Sequence, residues 1–290
     1  MLEKLYKKLT RQKWVIGFVN NPLQDIVSGT ELNIQWMKHK YVDRWFADPF
    51  ILDVTESQII LLVEELKYSD NKGVISKITV DRDSCSLVDR RTILELPTHL
   101  SFPAIIRDGD KIYIYPESSA TGKLLLYEYD IQTDECGEKE VLCTEPLTDA
   151  IIYKKNDDAF LFSTKMPNPN ANVLSVYKLG NNGVYKKIEG YTFSENIARN
   201  AGDFFEIGNS VYRPAQECNN KYGHSISIQK IDFKSDKIDI KEIVRIPCPS
   251  PKYTEGFHTL NTYKGVTVID VRGFVNYRIG KCLFRLKNRI

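Results

Sequence analysis

The sequence is sparing in several of the signals that most often announce a function. It holds four histidines and six cysteines in 290 residues. Cys85, Cys136, Cys143, Cys218, Cys248 and Cys282 form no CxxC pair and gather no histidine, which argues against a structural zinc site and for reduced thiols. No apolar run approaches the ~18 residues of a membrane-spanning helix, and the opening MLEKLYKKLTRQKW has no apolar stretch of secretory length. A cytoplasmic location is the resulting expectation. Walker-type glycine loops, HExxH, GxSxG and dinucleotide fingerprints are missing, as is the spacing of a calcium loop. Neither a metal nor a cofactor is therefore expected. Charge of one sign is also lacking: 40 basic against 38 acidic residues leave +2, and the aromatics do not interleave with a basic stripe, so no nucleic-acid partner is expected.

What the chain does have is apolar and aromatic area, with 42% hydrophobic residues including 16 tyrosines and 13 phenylalanines, enough for a continuous core. It also has a repeat. Five segments align: ADPFILDVTESQIILLVEEL from Ala47, SFPAIIRDGDKIYIYPESS from Ser101, TDAIIYKKNDDAFLFSTKM from Thr148, AGDFFEIGNSVYRPAQEC from Ala201 and GFHTLNTYKGVTVIDVRG from Gly256. Each opens on a small or turn-forming residue, runs through a short apolar strand, turns, and enters a second strand rich in Ile, Val, Tyr or Phe. Further strand-like stretches follow each hairpin. A spacing of roughly 50 residues, with three or four strands per unit, is that of propeller blades. Helical patterns are nearly absent after residue 40, which excludes alternating α/β architecture.

The fold expected is therefore all-β, a single five-bladed β-propeller over residues 1–290, with 1–40 an N-terminal extension packing on or leading into blade one. In that extension Leu2, Leu5, Tyr6 and Leu9 lie at helical spacing beside Lys4, Lys7, Lys8, Arg11 and Lys13. This pattern fits either a solvated helix packed on the domain or a peripheral contact with an anionic membrane surface.

First strands line a propeller's channel, so the repeat openings should converge. Asp48, Phe102, Asp149, Gly202 and Phe257 are equivalent starting positions. Turns favour Asp for backbone reasons alone, but Asp149 precedes the apolar Ala150, Ile151 and Ile152 and suits a channel mouth. Asp48 and Asp149 are the leading acid-base candidates. Glu117, Asp203, Glu217 and Glu255 compete to supply a further acid, while Glu64 and Glu65 end a strand and are expected to face solvent. Trp45, Arg213, Gln216, His224 and His258 are candidate substrate contacts. The polarity of Arg213, Gln216 and Glu217 on one strand needs mutual bonds or a ligand, and the Arg213 fork suits a phosphate or carboxylate.

The strings WFADPF at Trp45 to Phe50, HLSFP at His99 to Pro103, YPES at Tyr115 to Ser118, YRPAQE at Tyr212 to Glu217 and GFHTLN at Gly256 to Asn261 resemble the N-terminal domain of glucosamine inositolphosphorylceramide transferase, over about residues 40 to 275. More distantly, Ala47-Asp48-Pro49 and Asp149 are similar to the five-bladed glycosidases of the arabinanase, levansucrase and invertase type. That resemblance implies a first-blade Asp as base or nucleophile, a third-blade Asp that tunes the site, and a Glu as acid. It departs at the fourth blade, where the glycosidase Glu-Gly-Pro stands here as Ala201-Gly202-Asp203. The implied ligand is a carbohydrate or sugar nucleotide. The implied function is sugar transfer in surface glycan biosynthesis, with a five-bladed glycoside hydrolase or a non-catalytic glycan-binding module as the alternatives.

Overall fold

The computed structural model describes residues 2–234 and 237–287. Five four-stranded antiparallel sheets stand around a central funnel as the blades of a propeller. Blade one comprises β3 (Arg44–Val54), β4 (Gln58–Lys67), β5 (Gly73–Asp81) and β6 (Ser86–Leu94). Blade two comprises β7 (Ser101–Asp108), β8 (Lys111–Glu117), β9 (Leu124–Asp130) and β10 (Glu135–Cys143). Blade three comprises β11 (Leu147–Lys155), β12 (Asp158–Lys165), β13 (Val173–Leu179) and β14 (Tyr185–Thr192). Blade four comprises β15 (Phe205–Ile207), β16 (Ser210–Glu217), β17 (Ser225–Phe233) and β18 (Ile238–Pro247).

The fifth blade corrects the reading of the N-terminus as an extension. Its sheet runs β19 (Gly256–Tyr263), β20 (Val266–Phe274), β1 (Gln12–Val19), β2 (Ile34–Trp36), so both ends of the chain build one blade. β1 pairs with β20 over its whole length, from Gln12 opposite Phe274 to Val19 opposite Thr267. The reason is physical: Trp14, Val15, Ile16, Phe18 and Val19 are buried, and β20 would otherwise present an unpaired ladder edge. Helices α1 (Leu2–Leu9) and α3 (Tyr277–Lys287) flank this blade, and the short α2 (Leu23–Val27) joins β1 to β2. The side chains of Leu2 and Lys4 lie outside the described residues.

Branched and aromatic residues fill the spaces between blades in three apolar clusters. The repeat openings share a backbone device. In blades one to three the first strand carries two residues opposite one of its partner: register jumps from Ala47↔Glu64 to Phe50↔Leu62, from Ser101↔Glu117 to Ala104↔Tyr115, and from Thr148↔Thr164 to Ile151↔Phe162. The first bulged residue is left-handed each time, Asp48 at φ 49°, Phe102 at 46° and Asp149 at 45°. Such bulges re-aim side chains, and here they turn the carboxyls of Asp48 and Asp149 toward the funnel. At the fourth opening Gly202 has φ 153°, and a Cβ there would fall on the Leu260 carbonyl, so only glycine fits.

Candidate functional site

Two networks of buried polar groups line the funnel. The first spans the seam between blades five and one. Asp48 on β3 donates its backbone N–H to Asp270 Oδ2 at 2.9 Å, and its carboxylate accepts from Phe102 N (3.1 Å) and Thr259 Oγ1 (2.9 Å). His258 is the extra residue of a bulge in β19. Its Nδ1 donates to Asp270 Oδ1 at 2.7 Å and its Nε2 lies 3.4 Å from Asp48 Oδ1. Trp14 of β1 stacks on the imidazole with centroids 3.8 Å apart, and Tyr222 meets it edge-on at 5.3 Å. Burial alone would lower the His258 pKa, but Asp270 and Asp48 outweigh it and hold it above the ordinary value. Burial pushes Asp48 up to about 7, with the charge of His258 holding it back.

The second network joins blades two, three and four. Asp149 on β11 accepts from Arg199 Nε at 2.6 Å and from Gln216 Nε2 at 2.7 Å, and its backbone N–H donates to Glu117 Oε2 at 3.1 Å. Arg199 Nη2 also reaches Glu117 Oε2 at 3.4 Å and Nη1 donates to Asn170 Oδ1 at 2.9 Å. Burial would raise Asp149, but Arg199 outweighs it through charge and hydrogen bonds, so this carboxyl sits below its ordinary value. Glu117 goes the other way: burial first, and the Asp149 charge second, push it up to about 8 against the pull of Arg199. The two networks share one space, since the charge of Asp149 contributes to raising Asp48, and the Tyr222 ring lies between His258 and Arg199, 5.0 Å from the latter's guanidinium carbon.

Of the residues singled out from sequence, Asp48, Asp149, Glu117, Gln216 and His258 enter these networks. Others do not. Arg213 is fully buried and reaches no solvent-borne ligand; it donates to Asn200 Oδ1, Gln229 Oε1 and the Ala198 carbonyl, and burial pulls it down to about 9. Its work is to hold the segment that presents Arg199. Glu217 follows Gln216 on β16 and so projects to the opposite face. Its oxygens take the Asn219 N–H, Ser225 Oγ and His224 Nδ1, whose hydrogen bonds outweigh burial and keep the carboxyl low; His224 thereby belongs to the hairpin turn as well. Glu255 accepts from its neighbour Thr254 at the start of the fifth blade. Asp203 caps the Phe204 N–H, and burial lifts it to about 6 with Arg107 opposing. Trp45 is half-buried on β3. Glu64 and Glu65 are buried, contrary to the expectation of solvent-facing ends, because His99 neighbours the first and Arg44, Arg90 and Ser76 surround the second.

Six residues of the site escaped the sequence reading: Trp14, Asn170, Arg199, Tyr222, Thr259 and Asp270. Asp270 had a signal, a lone acid inside the apolar run VTVIDVRGF, where only a buried, paired carboxylate makes sense. Asp48, His258 and Asp270 also offer ligand atoms within 4.8 Å of one another and among the described residues could hold a cation. As arranged, the imidazole fills that role itself, with both nitrogens facing carboxylates.

Comparison with known proteins places the fold. The family model described as glucosamine inositolphosphorylceramide transferase 1, N-terminal, matches residues 20–271. Glucosamine inositolphosphorylceramide transferase 1 of Oryza sativa subsp. indica is 27% identical over 211 residues, 70% of this chain and 28% of that protein. The Arabidopsis thaliana protein of the same name is 31% identical over 153 residues, 50% and 20% of the respective chains. The chain thus spans less than a third of these relatives. Among solved structures, the exo-β-1,3-galactanase of Phanerochaete chrysosporium with galactose aligns at TM-score 0.55 and 11% identity, covering 72% of this chain and 53% of that one. A thermostable family-43 glycoside hydrolase aligns at 0.55 and 11%, covering 78% and 85%. Both show the shared propeller fold.

Proposed function

Because the chain belongs to the family of glucosamine inositolphosphorylceramide transferase 1 N-terminal domains, we propose that its funnel is a carbohydrate site of glycan assembly, where a sugar passes from an activated donor to an acceptor hydroxyl. The observation that carries this reading is the convergence of three carboxyls, from blades one, two and three, two of which burial raises while Arg199 holds the third, Asp149, low. Separated titrations are how a site assigns acid and base. Glu117, pushed up to about 8, carries a proton at neutral pH and donates it to the departing oxygen of the donor. Asp48, near 7 beside His258, accepts the proton of the attacking hydroxyl. Asp149 stays ionised and with Arg199 fixes Glu117. The Gln216 Oε1 is buried and has no hydrogen-bond partner among the described residues, which suits a sugar hydroxyl as donor.

Hydrolysis is the second reading, favoured by the same buried proton donor, since glycosidases protonate the leaving oxygen with a raised carboxylic acid. The experiment supplies a panel of sugar nucleotides with and without oligosaccharide or glycolipid acceptors, and separately aryl glycosides. Transfer predicts product only when donor and acceptor are both present, lost in Glu117→Gln while donor binding persists. Release of sugar from aryl glycosides supports hydrolysis instead. Full activity of both Glu117→Gln and Asp48→Asn would leave the funnel as a binding site.

A further inference from the structure

Helix α3 presents a second apolar stripe to solvent, beyond the inward face that a surface helix ordinarily buries. Ile279, Cys282 and Leu286, at i, i+3 and i+7, form one face of the helix and all three are exposed, Ile279 and Leu286 by 55% each. The inward side is held by Gly280, packed against the Leu9 carbonyl and Phe274, and by Phe284, whose ring lies 5.5 Å from that of Phe274. Four basic residues and no acidic one occupy its sequence, YRIGKCLFRLK. Arg278 and Arg285 are exposed beside the apolar stripe.

α1 lies alongside, joined through Lys287 over the Tyr6 ring at 4.8 Å, and adds exposed Leu5 together with Lys7 and Lys8. Val275, between β20 and α3, extends the apolar patch. Lys7 pairs with Glu3 at 3.3 Å, whereas α3 contributes basic residues alone, and exposed apolar side chains interleaved with such an excess of cations match the interface of an anionic bilayer, where the apolar groups enter the acyl boundary and the cations meet phosphate. The molecule as a whole carries only +2, so this positive charge is local.

The position of the helices is as informative as their composition. Lys281 Nζ donates to Thr254 Oγ1 at 3.0 Å, and Lys221 reaches the Thr254 carbonyl from the loop that carries Tyr222 over the funnel. A groove of about 570 Å³ between α3 and blade five is lined by Lys221, Lys281, Arg285, Phe274 and Phe284 together with Glu255, three cations against one acid. No helix among the described residues is long and apolar enough to cross a membrane, so any contact here is peripheral.

We propose that α1 and α3 form a docking surface for an anionic lipid bilayer and set the funnel mouth beside that surface. The sequence reading had only the first helix; α3 supplies the outward apolar stripe. The test is co-sedimentation of the full chain with vesicles of phosphatidylcholine, with and without phosphatidylserine, and no sugar present, so that its outcome is independent of the carbohydrate reading. Binding to the anionic vesicles alone is expected, weakened by salt. Arg278→Glu with Arg285→Glu should weaken it about 100-fold, and Ile279→Asp about tenfold, at unchanged melting temperature, whereas Arg278→Lys with Arg285→Lys retains it. The proposal is overturned if anionic vesicles fail to bind, if the charge-reversed protein binds equally, or if light scattering shows a dimer that Ile279→Asp dissociates, which would make a second copy the occupant.

Discussion

The two polar networks of the funnel are built from similar residues and end in different states. At the seam of blades five and one, Asp48, Thr259, His258 and Asp270 satisfy one another under the Trp14 ring, and the chain segments they join are more than 200 residues apart. Between blades two, three and four, Arg199 leaves Glu117 raised and Gln216 Oε1 without a partner among the described residues, and Glu117 and Arg199 keep side-chain exposures of 13% and 11%. A completed buried network rigidifies, whereas an incomplete one has a place for something else. The seam holds the ring; on the proposed reading it also poises one base, and the arginine network is where a sugar completes the bonding.

Removing residues 1–36 breaks the comparison outright, because the seam loses Trp14 and blade five loses two strands. Calorimetry should show no cooperative transition. Arg199→Met strands Asp149 and Glu117 in a buried site and should cost about 3–5 kcal/mol in denaturant unfolding. Asp270→Asn keeps the shape of the seam but removes the charge that His258 faces, for a loss of about 2–3 kcal/mol.

Glu117→Gln sharpens the contrast by acting on chemistry: turnover should fall by about 10²–10⁴ at neutral pH. Its effect on stability depends on pH. Glu117 and Asp48 rise from ordinary values of 4.5 and 3.8 to about 8 and about 7 on folding, so across that window the native state binds more protons than the unfolded one. Stability therefore falls as pH rises from about 4 to about 8, and the Gln variant should flatten this slope in pH-dependent unfolding curves. Gln216→Leu should have the smallest effect, weakening sugar binding by about fivefold in calorimetric titration.

The hairpins were legible because each blade repeats one local pattern, and Asp48 and Asp149 stood out as acids at equivalent openings. Arg199 was hidden because it lies in the irregular connection before β15, where no periodicity marks a residue's direction. Trp14 was hidden for another reason. Its strand reads as a strand, QKWVIGFV, but its partner lies at the far end of the sequence, and local pattern carries no information about ring closure. Arg213 and Glu217 misled because adjacent polarity on a strand says nothing of which face meets the channel; Gln216 alone of the three reaches Asp149.

The pairing of β1 with β20 also dictates an order of events during synthesis. Residues 12–19 can pair with β2 as soon as residues 34–36 are made, but their other ladder edge stays open until residues 266–274 follow the four intervening blades, so an apolar ribbon waits half-paired while those blades are synthesised. Shielding that ribbon until the last hairpin arrives falls to whatever attends the growing polypeptide, and yield in a cell-free system lacking chaperones is where the delay would first be felt.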